Sequence, residues 1–298
     1  MNNLIIKHNI KCEKCKGLLE GVGTLNMMFP VSVGVEKPAI AYLRPETAQG
    51  PYVNFKRTFE VMRKKLPLGL AVIGKAYRNE ISPRNALLRM REFTQAELQI
   101  FFDSDKINEH PRFDEVKDYV VRIFPIENKE SRKIDEVTCS MLTKKLPEFY
   151  VYHMAKIQQF YLDILRLPPE RLRFRELSDE ERAFYNKFHF DVELQLSIGW
   201  KEVGGLHYRT DHDLGGHEKI SKQDMSVNID GKKFIPHVLE LSFGADRNVY
   251  ALLDVCFREE QERTLFSFPR LLSPFDCAAF PLVNKDNIPE KSLEIKGM

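Results

Sequence analysis

Apolar positions recur along this chain with two different periods. Between residues 51 and 66, Val53, Phe59, Met62 and Leu66 fall at helical spacing. The pattern predicts a helix begun near Thr47 or Gly50, with Pro51 tolerable in its first turn. From 70 to 102 the period shortens to two, which predicts two strands around a loop. Residues 103–150 are charged and weakly patterned, with a short strand expected around Tyr119–Ile123. A helix over 152–166 is closed by Pro168 and Pro169. Residues 190–210 read as strand and turn, punctuated by Gly199, Gly204 and Gly205. Alternation resumes over 234–243, and 246–257 carries the spacing of a buried helix in Val249, Leu252, Leu253, Cys256 and Phe257. Strands joined through hairpins favour an antiparallel sheet with helices packed on it, an α+β fold.

The hairpin departs from an ordinary half-buried one. In GKAYRNEISPRNALLRMREFTQAELQ (74–99), alternation puts Arg78 and Glu80 on one face of the first strand. On the second, Arg91, Phe93, Gln95 and Glu97 share a face, while Thr94, Ala96, Leu98 and Ile100 take the other. Arginines, an aromatic ring and carboxylates on a common surface suit a nucleotide and a small charged ligand.

Composition narrows the setting. The 298 residues carry a formal charge of only +2, so net charge gives no argument for nucleic-acid binding. Five cysteines in no disulfide-like spacing fit a reducing compartment. Neither a secretory h-region nor an apolar run of about 18 residues is present, so a soluble, cytoplasmic protein without a membrane partner is expected.

The 74–99 stretch resembles the second signature motif of class II aminoacyl-tRNA synthetases, specifically the glycyl-tRNA synthetases of archaeal and eukaryotic type. LRPETAQG (43–50), FGADRNVYALLD (243–254), which is similar to the third signature motif, and RTLFSFPRLLSPF (263–275) extend the resemblance from about residue 10 to the C-terminus. It implies a class II antiparallel β-sheet flanked by helices and an ATP-dependent ligase. Glycine would be activated to glycyl-adenylate and transferred to the 3′ end of glycine tRNA, with ATP and Mg2+.

The resemblance also implies roles for particular residues. Arg78 and Arg247 are the catalytic arginines, Arg78 at the α-phosphate and Arg247 on the opposite side of the ATP. The ATP set is completed by Asn79, Glu80 at the adenine amino group, Arg89 and Arg91 at the outer phosphates, Phe93 stacked on the base, Glu202, Val203 and Gly244. Glu202 also reaches the magnesium. Glycine falls to Arg44, Glu46, Gln95, Glu97, Glu240 and Ser242. Three carboxylates at one ligand repel one another unless a cation sits between them, and an α-ammonium is such a cation. A methyl group is worth only about 1–3 kcal/mol of attractive discrimination, so larger amino acids must be excluded by walls.

Some features depart from the family pattern. Leu241 stands between Glu240 and Ser242 where proline is usual. Cys12 and Cys15 resemble half of a zinc knuckle; zinc normally takes four ligands, and with only His8 nearby a metal-free remnant is expected. His212 and His217, in RTDHDLGGH (209–217), are expected as solvated or hydrogen-bonded loop histidines. The division expected is an N-terminal Cys-x-x-Cys segment (1–40), a catalytic core (41–265) with an insertion around 103–230, and the start of an anticodon-binding domain (266–298). Eleven residues before Cys12 leave no room for the first signature motif, so the family's homodimer interface would need a second polypeptide. Two alternatives remain: a non-catalytic synthetase-like subunit, and an adenylating ligase with a non-tRNA acceptor.

Overall fold

The computed structural model describes residues 2–19, 23–83 and 86–297. Residues 20–22 of the N-terminal segment and 84–85 of the hairpin loop lie outside the described residues. The chain divides into two compact units, 1–46 with 75–93 and 47–74 with 94–298.

The first unit holds helix α1 (Asn2–Lys7) and an antiparallel hairpin of β1 (Pro30–Val33) and β2 (Ala39–Tyr42). Between them the Cys-x-x-Cys segment forms a tight turn. The Cys12 amide donates to the Gly17 carbonyl at 3.0 Å, and the Lys16 amide donates to the Cys12 carbonyl at 2.8 Å.

The second unit opens with α2 (Gln49–Val61). The face it buries is only partly the expected one: Val53 is 61% and Met62 55% exposed. Phe59 is buried as the spacing predicts, but it is joined by Tyr52 and Phe55, at three- and four-residue steps along the same face, because these rings bring far more apolar area than the valine and methionine. Phe55 stacks on Phe101 with ring centroids 4.3 Å apart. Ala48, Leu214, Met225, Val227 and Val238 complete this cluster, and each large side chain buried there contributes about 1.5–3 kcal/mol. The helix stops at Val61, short of residue 66, where Arg63 and Lys64 turn left-handed at φ +62° and +56°.

The sheet has eight strands. In chain order they are β3 (Leu68–Tyr77), β4 (Glu92–Phe102), β5 (Val120–Phe124), β6 (Asp135–Thr138), β7 (Leu172–Glu176), β8 (Phe188–Leu196) and β9 (Gly199–Thr210), with β12 (His237–Gly244) closing the set. Short helix α3 (Cys139–Leu142) and α4 (Glu148–Gln159) lie between β6 and β7, and α5 (His212–Ser221) follows β9. A small hairpin of β10 (Val227–Ile229) and β11 (Lys232–Phe234) precedes β12. The order across the sheet is β3-β4-β12-β9-β8-β7-β5-β6. Pairing is antiparallel from β4 to β7 and between β5 and β6. β5 and β7 run parallel, because α3 and α4 carry the chain across between them.

Gly204 and Gly205, expected as turn punctuation, lie inside β9. A Cβ on Gly204 would come within 2.6 Å of the Phe243 ring and 2.8 Å of the Ser242 carbonyl; one on Gly205 would run into the His207 imidazole. The glycines let side chains of the neighbouring strand and of β9 itself lie flat on the backbone.

After β12 comes α6 (Ala245–Cys256), which buries Ala251, Val255 and Cys256 and leaves Val249 and Leu253 exposed, a narrower face than the spacing predicts; Phe257, also exposed, lies past its end. The hairpin β13 (Phe257–Glu259) and β14 (Thr264–Phe266) and helix α7 (Ile288–Gly297) end the described chain. Among the described residues no helix is long and apolar enough to cross a membrane.

Candidate active site

In the first unit the candidate residues gather where the chain leaves β3 and enters β4. Arg78 and Glu80 were expected on a strand, but β3 ends at Tyr77 and Arg91 precedes β4. Their common location comes from loop hydrogen bonds rather than from alternation. The Arg78 amide donates to the Arg91 carbonyl at 2.9 Å, and the Glu80 amide donates to the Arg78 carbonyl at 2.8 Å. Arg91 Nε in turn donates to the Glu80 carbonyl at 3.0 Å. The Glu80 carboxylate faces Arg89 Nε at 3.2 Å.

The Arg78 guanidinium lies 5.3 Å from the centre of the Phe93 ring and donates through Nε to the Pro45 carbonyl at 3.2 Å. Its planar fork is thereby held with the terminal nitrogens beyond the anchored Nε, the arrangement suited to phosphate oxygens. Arg44 is tied by its Nε to the Lys75 carbonyl at 2.6 Å, and its own carbonyl accepts from the Tyr77 amide. Asn79 is fixed by its amide to the Met27 carbonyl at 2.7 Å and by Nδ2 to the Asn26 carbonyl at 3.3 Å. Glu46 is half-buried on the same segment as Arg44.

In the second unit β4 and β12 face each other in register, with Ser242 opposite Glu97 and Glu240 opposite Gln99. The polar face of β4 is the buried one: Gln95, Glu97 and Gln99 are all within a few per cent of full burial. Burial of polar groups is unfavourable unless they are hydrogen-bonded. Glu97 receives the Thr47 hydroxyl at 2.6 Å and the Ser242 hydroxyl at 3.2 Å. Gln95 is different: its Oε1 is buried with no hydrogen-bond partner.

Glu240 has partners that were not foreseen. Arg209 Nη1 donates to its Oε2 at 2.9 Å, the Gln99 amide donates to the same oxygen at 2.7 Å, and His207 Nδ1 binds Oε1 at 2.5 Å. The cation the acids require is therefore partly internal, since Arg209 is the counter-ion of Glu240. Burial pushes the Glu240 carboxyl up, yet the hydrogen bond and charge of His207, with Arg209 and Gln99, outweigh it and hold the group well below the usual carboxylate range. Burial disfavours the Arg209 charge, but Glu240, Tyr52 and Asp213 more than restore it.

At the N-terminus of α6, Gly244 ends β12 and Arg247 sits in the first turn. Arg247 Nη1 lies 3.2 Å from Glu202 Oε1. Val203 lies fully buried beside it on β9, and its carbonyl accepts Asn248 Nδ2 at 2.9 Å. Asp246 Oδ2 accepts the Thr94 amide at 2.5 Å, pinning β4 one residue past Phe93.

Other expectations resolve differently. His212 and His217 are on α5 rather than in a loop. His212 stacks on Tyr185 with centroids 5.1 Å apart, and His217 bonds the Gln49 amide oxygen at 2.8 Å. Cys12 and Cys15 are free thiols, and among the described residues no three histidine, cysteine or acidic side chains cluster around a metal position.

Comparison with known proteins gives this geometry its family. The chain belongs to the class II tRNA synthetase core family (G, H, P, S and T), whose family model matches residues 35–256. Within that class it is similar to the glycine–tRNA ligase of Pyrococcus furiosus, 36% identical over 99% of this chain and 66% of the relative. The glycine–tRNA ligase of Methanococcus maripaludis is 33% identical over 100% of this chain and 67% of the relative. Among solved structures, Giardia lamblia prolyl-tRNA synthetase in complex with prolyl-adenylate superposes with a TM-score of 0.58 at 15% identity, over 91% of this chain and 45% of that one. That likeness concerns the fold. The chain spans about two thirds (66%) of the length of the first of these curated relatives.

Proposed function

We propose that this chain is the catalytic core of a glycine–tRNA ligase, with residues 41–265 forming the core proper. It activates glycine with ATP to glycyl-adenylate and transfers it to the 3′ end of glycine tRNA. The observation that carries the amino-acid side of this reading is the buried polar face of β4. Glu97 is oriented by two hydroxyls, and Gln95 Oε1, on the same face, lacks a partner. An α-ammonium offers three donors and one positive charge, which such a pair of acceptors is built to receive. Relatives named glycine–tRNA ligase support the choice of amino acid.

The reaction is attack of the glycine carboxylate on the α-phosphorus of ATP, with pyrophosphate leaving. Little proton transfer is required, so positioning and charge stabilisation supply the acceleration. Arg78, held beside the Phe93 ring, is assigned to the α-phosphate, where negative charge builds. Phe93 and Glu80 are assigned to the adenine, Arg89 and Arg91 to the outer phosphates, and Arg247 also to the ATP. Magnesium is bound in such sites through one or two carboxylates plus substrate phosphates. Glu202, partly exposed beside Arg247, fits that requirement; the ion would neutralise charge on the leaving pyrophosphate.

Pyrophosphate exchange with a panel of amino acids tests this reading. Exchange is expected with glycine and not with alanine or serine, followed by transfer of labelled glycine to tRNA. Exchange without transfer to tRNA would favour a different acceptor, and absence of exchange would favour a non-catalytic subunit.

A further inference from the structure

Arg209 is 5% exposed and sits at the centre of a network that the reaction does not use directly. Its fork binds Asp213 twice, at 2.8 Å through Nε and 2.9 Å through Nη2, and Glu240 once through Nη1. The rings of Tyr185 and Tyr52 lie 4.7 Å and 5.5 Å from the guanidinium carbon. The group is thus held by two carboxylates and flanked by two aromatic rings, a site for which a flexible ammonium is no substitute.

An ionised carboxylate has about four acceptor positions. On Glu240 three are taken, two on Oε2 by Arg209 and Gln99 and one on Oε1 by His207. We propose that Arg209 is a positioning residue of the glycine pocket: it fixes the Glu240 carboxylate in the one orientation that keeps His207 on Oε1 and leaves the remaining Oε1 position to the substrate ammonium. This rests on the glycine reading above. A carboxylate held by a single pairwise contact could rotate and present both oxygens to water or to its neighbours. The two-oxygen clasp from β9 and β4 removes that freedom before substrate arrives, which lowers the ordering cost of binding. The anchor extends to α5 through Asp213, so the helix after β9 is part of the pocket's support.

Three variants test the proposal. Arg209→Lys keeps the charge but loses the fork; Arg209→Met removes both; Arg209→Met with Glu240→Gln removes the pair together. In pyrophosphate exchange, Arg209→Lys is expected to raise the KM for glycine tenfold or more while the KM for ATP changes less than twofold. Arg209→Met is expected to melt well below the wild type. The double variant should recover much of that melting temperature without recovering glycine use, since a buried charge left alone is the main source of the loss. Nitrogen NMR of the His207 ring reads the positioning independently of activity: the Nδ1 signal of its hydrogen bond is expected to shift in Arg209→Lys. An unchanged His207 signal, or equal rises in the KM for glycine and ATP, would overturn the proposal. Wild-type protein that gives no glycine-dependent exchange would overturn the functional reading, while the His207 signal would still decide whether Arg209 orients Glu240.

Discussion

The Asp246 carboxylate accepts the backbone amide of Thr94 at 2.5 Å. Asp246 occupies the first turn of α6, one residue before Arg247, and Thr94 follows Phe93 on β4. One hydrogen bond therefore joins α6 to β4 within the second unit. An acceptor in a helix's first turn is also favoured by the helix dipole.

Asp246→Ala leaves the Thr94 amide without that acceptor, which costs about 1–3 kcal/mol if the amide stays dry. The expected outcome is a lower melting temperature and a severalfold higher KM for ATP, with Asp246→Asn much closer to wild type because its amide oxygen can still accept. A KM for ATP unchanged in Asp246→Ala would show that the bond holds the fold without bearing on the nucleotide.

Glu97→Gln nearly preserves shape while removing the charge that Thr47 and Ser242 hold in place. Glycine affinity by calorimetry is expected to fall tenfold or more, because charge-assisted hydrogen bonds are roughly twice as strong as neutral ones. ATP affinity should change little. Equal losses for both ligands would assign Glu97 to the fold.

Gly204→Ala puts a methyl group against the Phe243 ring and, at 2.8 Å, the Ser242 carbonyl. Backbone cannot yield as a flexible side chain can, so a loss of about 1–3 kcal/mol is expected from overpacking, read as a lower denaturation midpoint. A midpoint equal to wild type would mean that β9 and β12 can separate without cost.

His153 supplies a pH dependence. Burial pushes its imidazole down to about 4, only partly offset by the hydrogen bond to the Phe149 carbonyl at 2.7 Å. The folded value lies below the ordinary one of about 6.5. Between the two the unfolded chain binds more protons, so stability rises with pH across that window and is lost as pH falls through it. The difference between pH 7 and pH 5 amounts to about 2 kcal/mol from this group. Chemical denaturation of wild type and His153→Asn at both pH values should show that slope in the first and a reduced one in the second. Equal slopes would remove His153 as the cause.

Much of this arrangement is legible in the chain itself. Alternation places Gln95 and Glu97 on one face of β4, and the same spacing puts Glu240 with Ser242 on β12. Extending it two residues would have added Gln99, and two steps along β9 would have added His207 and Arg209. What could not be read is that β12 lies between β4 and β9, because strand order follows from packing of the whole sheet and not from any local period. The Arg209–Glu240 pair depends on that order alone. The loop geometry of Arg78 and Glu80 was hidden for a different reason: period-two reasoning carries a strand onward until something breaks it, and nothing in YRNE marks the end at Tyr77. On α2 the aliphatic spacing points to Val53 and Met62, whereas Tyr52 and Phe55 join Phe59 in the core because their rings bury more apolar area.

The central claim is that the chain forms a site for glycyl-adenylate. Calorimetry with a non-hydrolysable glycyl-adenylate analogue and its alanyl counterpart tests it most directly. The account expects the glycyl analogue to bind at least a hundredfold more tightly than the alanyl one, with the difference shrinking in Glu97→Gln. Equal affinity for the two analogues, or none for either, would contradict it.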